Sequence, residues 1–215
     1  MDKIDKDGID PLVEPVEDKV HRIISAATGL VPGGQETFLA LIEPPMEKRK
    51  YEWMIRVTET LNELIDKHKL DIGDLASNEE FISILVQTSQ TALKTHKSEK
   101  LERLKNILTN SVDQHIPYDK KVLFITYVDQ LSEYHMAMLK FVAENYSSVA
   151  DGNSLEYDDC ERHIEANCGL EDLTIAAYLR SQLEDMHFLD SETIDGKGYM
   201  KLSDFGSEFY SFIYS

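Results

Sequence analysis

Apolar residues recur at helical spacing along most of the chain. Leu12, Val16, Val20, Ile23 and Ile24 mark one face of a helix, with acidic residues between them. Residues 29–34 (GLVPGG) interrupt the pattern, because proline removes a donor and glycine permits left-handed backbone angles. A second apolar stretch at 37–42 follows, which predicts a helical hairpin that Glu43-Pro44-Pro45 brings to a stop. Met54, Val57, Leu61, Leu64 and Ile65 then form a single stripe, predicting a long helix over about 46–67. Asn78 is a good N-cap, Glu79 and Glu80 suit the positive end of a helix dipole, and 81–93 holds no charged residue, so the next helix belongs at the centre of the core. The helix over 97–112 is expected to turn Leu101, Leu104, Ile107, Leu108 and Val112 inward and Lys97, Lys100, Arg103 and Lys105 elsewhere. After a turn at 115–117, residues 122–128 are apolar on nearly all sides and should be buried.

The last third changes period. Helices are expected over 132–144, 156–166 and 170–185, then strands at 187–190 and 199–202 flanking Asp195-Gly196-Lys197-Gly198, a hairpin-turn sequence, and a closing helix over 204–213. The fold class that follows is mainly α. A flexible start (1–10) leads into an N-terminal helical bundle (11–131), followed by a small domain (132–215) with one β-hairpin. Three helices followed by a hairpin resemble a winged helix-turn-helix.

Charge sharpens this division. The 215 residues carry a net charge of −18, and residues 132–215 account for −12 of it, with 5 basic and 17 acidic side chains. Such a segment repels phosphate backbones unless its bases cluster, and they do not. Two cysteines are too few for a disulfide framework, and the charged start MDKIDKDGID is unlike a signal peptide, which places the protein in the cytoplasm.

In a winged-helix arrangement residues 170–185 would be the recognition element, so its outward face separates a nucleic-acid reader from a protein-contact module. A helical wheel turns Ile175, Leu179, Leu183 and Met186 inward. Glu171, Thr174, Tyr178, Ser181 and Asp185 then point outward without a cation, and Arg180 sits on the flank. The hairpin sets Lys197 and Lys201 against Asp190, Glu192 and Asp195. This face argues against nucleic acid and for a protein partner or a second copy of the chain.

Other candidate sites are weaker. Cys160, His163 and Cys168 are a candidate metal set, since Cys160 and His163 share a helix face, but the fourth ligand of a zinc site is lacking and the expectation is no metal. Lys48, Arg49 and Lys50, with Lys97, Lys100 and Arg103, form two basic groups that would contact an anion if they converged. Glu47, Glu52, Glu99 and Glu102 are spaced to pair with them, so a salt-bridged solvated face is the expected state. Trp53 reads as a core or interface anchor. No Walker loop, G-x-G-x-x-G, H-E-x-x-H or G-x-S-x-G occurs, and no cofactor is expected.

The stretches PPMEKRKYEW, NEEF, EKLERLKN and DQLSEYHMAMLKF resemble signatures of a widespread family of uncharacterised bacterial proteins, a likeness strongest over 44–141. It is loosely similar to abortive-infection defence proteins as well. The resemblance implies membership without an activity, and residues 1–11 and 147–166 fall outside it. Three readings follow. The favoured one is a non-enzymatic interaction or regulatory protein. The first alternative is a membrane-acting or phage-defence effector using the apolar hairpin over 23–42, which Pro32-Gly33-Gly34, Gln35 and Glu36 make a poor membrane span. DNA-binding regulation is the further alternative, and a nucleotide enzyme working through the basic groups is carried as a remainder.

Overall fold

The computed structural model describes residues 34–69, 72–113, 115–146, 155–168, 173–194 and 197–214. The described residues are mainly helical with one small antiparallel sheet. In chain order they form α1 (Gly34–His68), α2 (Ile72–Ser77), α3 (Glu79–Lys94), α4 (Ser98–Asn110), α5 (Tyr118–Gln130), α6 (Glu133–Tyr146), β1 (Leu155–Glu156), α7 (Tyr157–Cys168), α8 (Leu173–Asp185), β2 (Leu189–Ile194), β3 (Lys197–Leu202) and α9 (Asp204–Tyr214). The chain divides into two compact units, residues 1–122 and 123–215, and the division falls inside α5.

In the first unit, α1 packs against α3 and α4, and α3 also meets α2. Leu64 and Ile65 of α1, Phe81 and Ile84 of α3, and Leu101, Leu104, Ile107 and Leu108 of α4 are buried together with Trp53. Asn78 caps α3 as its sequence predicts: its side-chain oxygen accepts from the Phe81 N–H at 3.1 Å. Trp53 Nε1 donates to Ser89 Oγ at 2.8 Å, pinning α1 to α3. Val112 is only half-buried, and Val86 stands out at 49% exposure in the uncharged stretch of α3.

The expected stop at Pro44-Pro45 is not observed, because α1 continues through it from Gly34 to His68. Proline's fixed φ lies near the helical value, although each ring removes a donor and crowds the carbonyl four residues back, so the flanking turns carry the helix across at a cost. Of the hairpin expected over 23–42, residues 23–33 lie outside the described residues. The flexible start and the first expected helix lie outside them too.

In the second unit α6 runs against α7, β3, α8 and α9. Phe124 and Tyr127, from the last turns of α5, enter an aromatic cluster with Phe188, Phe205, Phe209 and Phe212, at centroid separations such as 5.3 Å for Phe124–Phe209 and 4.9 Å for Tyr127–Phe188. These rings account for the end of α5 belonging with the later residues. Ile125 and Val128 are also buried, but Leu123 and Thr126 are exposed, so the run 122–128 is not buried on every side.

The sheet is larger than a hairpin. β2 and β3 pair antiparallel in the register Leu189↔Leu202 to Ile194↔Lys197, and β1 adds to the far side of β3 through Leu155↔Met200 and Glu156↔Tyr199, giving the order β1-β3-β2. Lys197 and Gly198, expected in the turn, are part of β3.

α8 ends by turning the chain into β2. His187 takes a φ of 61°, its N–H donates to the Glu184 carbonyl at 2.9 Å, and the Phe188 N–H reaches back to Leu183 at 2.8 Å, which together satisfy the last carbonyls of the helix. Ser203 caps α9 by accepting from the Gly206 N–H at 2.9 Å, while its own hydroxyl donates to the His187 carbonyl at 2.5 Å.

Candidate protein-contact surface

The surface is built on α8, whose buried side consists of Ala176, Leu179 and Leu183. Spaced three and four apart, these fix the rotation of the helix. Thr174, Tyr178, Ser181 and Asp185 face outward as their spacing predicts, and Tyr178 is 62% exposed. Glu171 lies outside the described residues. The inward placement of Ile175 is corrected: it is 41% exposed, and its neighbour Ala176 takes the buried position. Two adjacent apolar residues allow either phase, and here packing selects the smaller one for the interior.

Arg180, the one cation within the α8 sequence, is not offered to solvent. Its Nε donates to Glu161 Oε1 of α7 at 3.1 Å, its Nη1 to Glu184 Oε1 at 2.7 Å, and its guanidinium carbon lies 4.0 Å from the centroid of the Tyr157 ring. Burial opposes its charge, yet the hydrogen bonds it donates to Glu184 and Glu161 hold it above the ordinary arginine value. Gly198 leaves room for the same tyrosine, since a Cβ there would collide with the Tyr157 ring.

A hydrogen-bonded chain runs through the buried His135 to the outward face. The backbone N–H of Ser132 donates to His135 Nδ1 at 3.1 Å and the Ser132 hydroxyl lies 2.8 Å from the same nitrogen; a backbone N–H can only donate, which assigns the lone pair to Nδ1 and the proton to Nε2. Nε2 then donates to Gln182 Oε1 at 3.0 Å, and Gln182 Nε2 donates to the Tyr178 hydroxyl oxygen at 3.0 Å. Burial lowers the His135 pKa against a smaller raising pull from Gln182, which keeps the ring neutral.

The metal candidates are not gathered. Among the described residues no group of three His, Cys, Asp or Glu side chains is placed to hold an ion. Cys160 is fully buried, and burial, with a further contribution from Glu161, pushes its thiol up to about 12. His163 stacks on Phe141 at a centroid distance of 4.0 Å and meets Asn167. The Cys168 side chain lies outside the described residues.

Arg49 of the first basic group turns to α3, where its Nη1 donates to the Leu93 carbonyl in the last turn at 3.3 Å. The first group pairs locally as its spacing predicts, whereas Glu102, spaced to pair within the second, does not. Lys48 pairs with Glu52 at 3.7 Å and Lys50 with Glu47 at 3.2 Å, while Glu102 turns to Arg56 on α1. Lys97 is exposed and Lys100 partly so. Arg103 departs from expectation, being buried at 6% exposure where the wheel turned it away from the core; its long stem lets it lie along the packed face of α4.

A pocket of about 530 Å³ opens beside the start of α3, lined in part by Asn78, Glu80, Tyr118 and Lys121. Lys121 is buried there and donates to the Ser111 carbonyl at 2.6 Å, capping the C-terminus of α4. Burial lowers its pKa, with Glu80 and Asp113 pulling the other way. Among the described residues no helix is long and apolar enough to cross a membrane.

Compared with known proteins, the chain matches no family model, no curated protein and no solved structure. The functional reading therefore rests on its own residues.

Proposed function

We propose that this chain is a non-enzymatic interaction or regulatory protein of the cytoplasm, whose second unit is a winged helix-turn-helix-like module that contacts a protein partner or a second copy of itself. The order α6, β1, α7, α8 and the β2–β3 hairpin, with the sheet order β1-β3-β2, supports the winged-helix reading. The α8 helix is then the element that would enter a DNA groove.

The observation that carries the functional reading is the commitment of Arg180 to Glu161 and Glu184, which leaves Thr174, Ile175, Tyr178, Ser181 and Asp185 as a cation-free outward face. A DNA reader neutralises several phosphates, and this face brings an aromatic ring, an aliphatic side chain and a carboxylate. Tyrosine beside an exposed apolar neighbour is the composition of a protein interface.

The test is affinity purification of the tagged protein from its native cell beside Tyr178→Ala/Asp185→Lys, with Val86→Ala as a control on the first unit. A stoichiometric protein partner, or the chain itself, recovered with wild type and Val86→Ala but lost from the double variant supports the reading. Recovery unchanged in the double variant removes it.

A further inference from the structure

We infer that the α8 face docks a basic polypeptide segment, one that seats an apolar residue against Ile175 and Tyr178 and offers a backbone carbonyl to the Tyr178 hydroxyl. This rests on the protein-contact reading and names the chemistry of the partner.

The polarity of the hydrogen-bonded chain supplies the first half of the argument. Ser132 N–H donates to His135, His135 to Gln182 and Gln182 to the tyrosine oxygen. Each link fixes the direction of the next, because a backbone N–H is only a donor and the amide nitrogen that Gln182 turns to the tyrosine can only donate. The Tyr178 oxygen accepts from within, and its own proton remains for an acceptor outside. Held by Gln182, the ring is pre-oriented and loses little freedom on binding.

Charge supplies the second half. An outside acceptor is either a carboxylate or a neutral carbonyl. The carboxylate is disfavoured, since Asp185 borders the face, Asp190 on β2 is exposed, and residues 132–215 carry a net −12. The arginine that could offset these is turned inward onto Glu161 and Glu184. A neutral carbonyl on a chain whose side chains are cationic satisfies both conditions. Ile175, at 41% exposure, gives that chain its apolar seat.

The test uses the full chain with three probes: an amphipathic Lys/Leu helical peptide, its Glu/Leu counterpart and a short duplex DNA. Each is titrated by calorimetry against wild type, Tyr178→Phe and Tyr178→Ala, with thermal melts confirming that the variants fold. The expected result is binding of the Lys/Leu peptide alone, weakened about threefold in Tyr178→Phe, which keeps the ring but loses the hydroxyl that donates outward and accepts from Gln182, and about tenfold in Tyr178→Ala. Equal affinity for the Glu/Leu peptide, preference for DNA, indifference to Tyr178→Ala, or no binding at all overturns the inference. Self-association by sedimentation that Tyr178→Ala abolishes assigns the face to a second copy and overturns it as well. A partner recovered from cells through Tyr178 that proves acidic sinks this inference and leaves the protein-contact reading standing.

Discussion

Arg180 of α8 and Glu161 of α7 pair at 3.1 Å with their side chains 18% and 15% exposed, and this contact decides how the second unit presents itself. It packs α7 against α8 and withdraws the helix's one cation from the surface. The same arginine holds Glu184 and lies over Tyr157, so removing it leaves two partly buried carboxylates uncompensated. Arg180→Ala is expected to destabilise the protein by about 2 kcal/mol, read by urea denaturation. It should leave DNA affinity unchanged, whereas a salt-sensitive affinity lost in Arg180→Ala would mean that the arginine reads phosphate.

His135 gives the second unit a pH dependence of defined sign. Its folded pKa lies below the ordinary imidazole value of 6.5, so the unfolded chain takes up a proton before the folded protein does. The stability tied to the neutral ring is complete above 6.5 and is lost as the pH falls from there through the lowered folded value. Melting temperature should therefore drop between pH 7 and pH 5, and His135→Gln should flatten that drop; thermal melts across this range check it.

Thr60 is buried in α1 with its hydroxyl oxygen unpaired among the described residues. Replacing it with the near-isosteric valine removes a polar group that gains nothing from burial, so Thr60→Val should raise stability by about 1 kcal/mol. Trp53, the one tryptophan of the chain, reports on the first unit by fluorescence.

Two backbone positions make opposed predictions. His187 holds a left-handed φ of 61° that glycine adopts more readily, and His187→Gly should stabilise the end of α8 by about 0.5 kcal/mol in a chemical melt. Gly206 of α9 lies against the Phe188 carbonyl, where a Cβ would collide with backbone. Gly206→Ala should cost about 2 kcal/mol or more, measured the same way.

Much of this architecture is legible in the residues. The cap at Asn78, the inward leucines of α4, the local pairs of Lys48 and Lys50, and the outward set from Thr174 to Asp185 all follow from spacing, because helical period and short-range pairing are local properties. What escapes is non-local or too short. Leu155-Glu156 has no alternation to mark it as a strand, and only the edge of β3 makes it one. The six residues of α2 are too few to carry a period. Ile175 and Ala176 are both apolar, so the phase of α8 is set by what packs beneath it. The hydrogen-bonded path from His135 to Tyr178 spans residues 47 apart between its histidine and glutamine, a separation at which the sequence carries no pairing signal.

Site-specific photocrosslinking in the native cell, with the reactive group at position 178 in one strain and at position 86 in another, tests the protein-contact surface most directly. A discrete adduct at 178 that proteases degrade and nucleases leave intact, with none at the exposed position 86 on α3, is the predicted result. A nuclease-sensitive adduct at 178, or no adduct there while position 86 yields one, would contradict it.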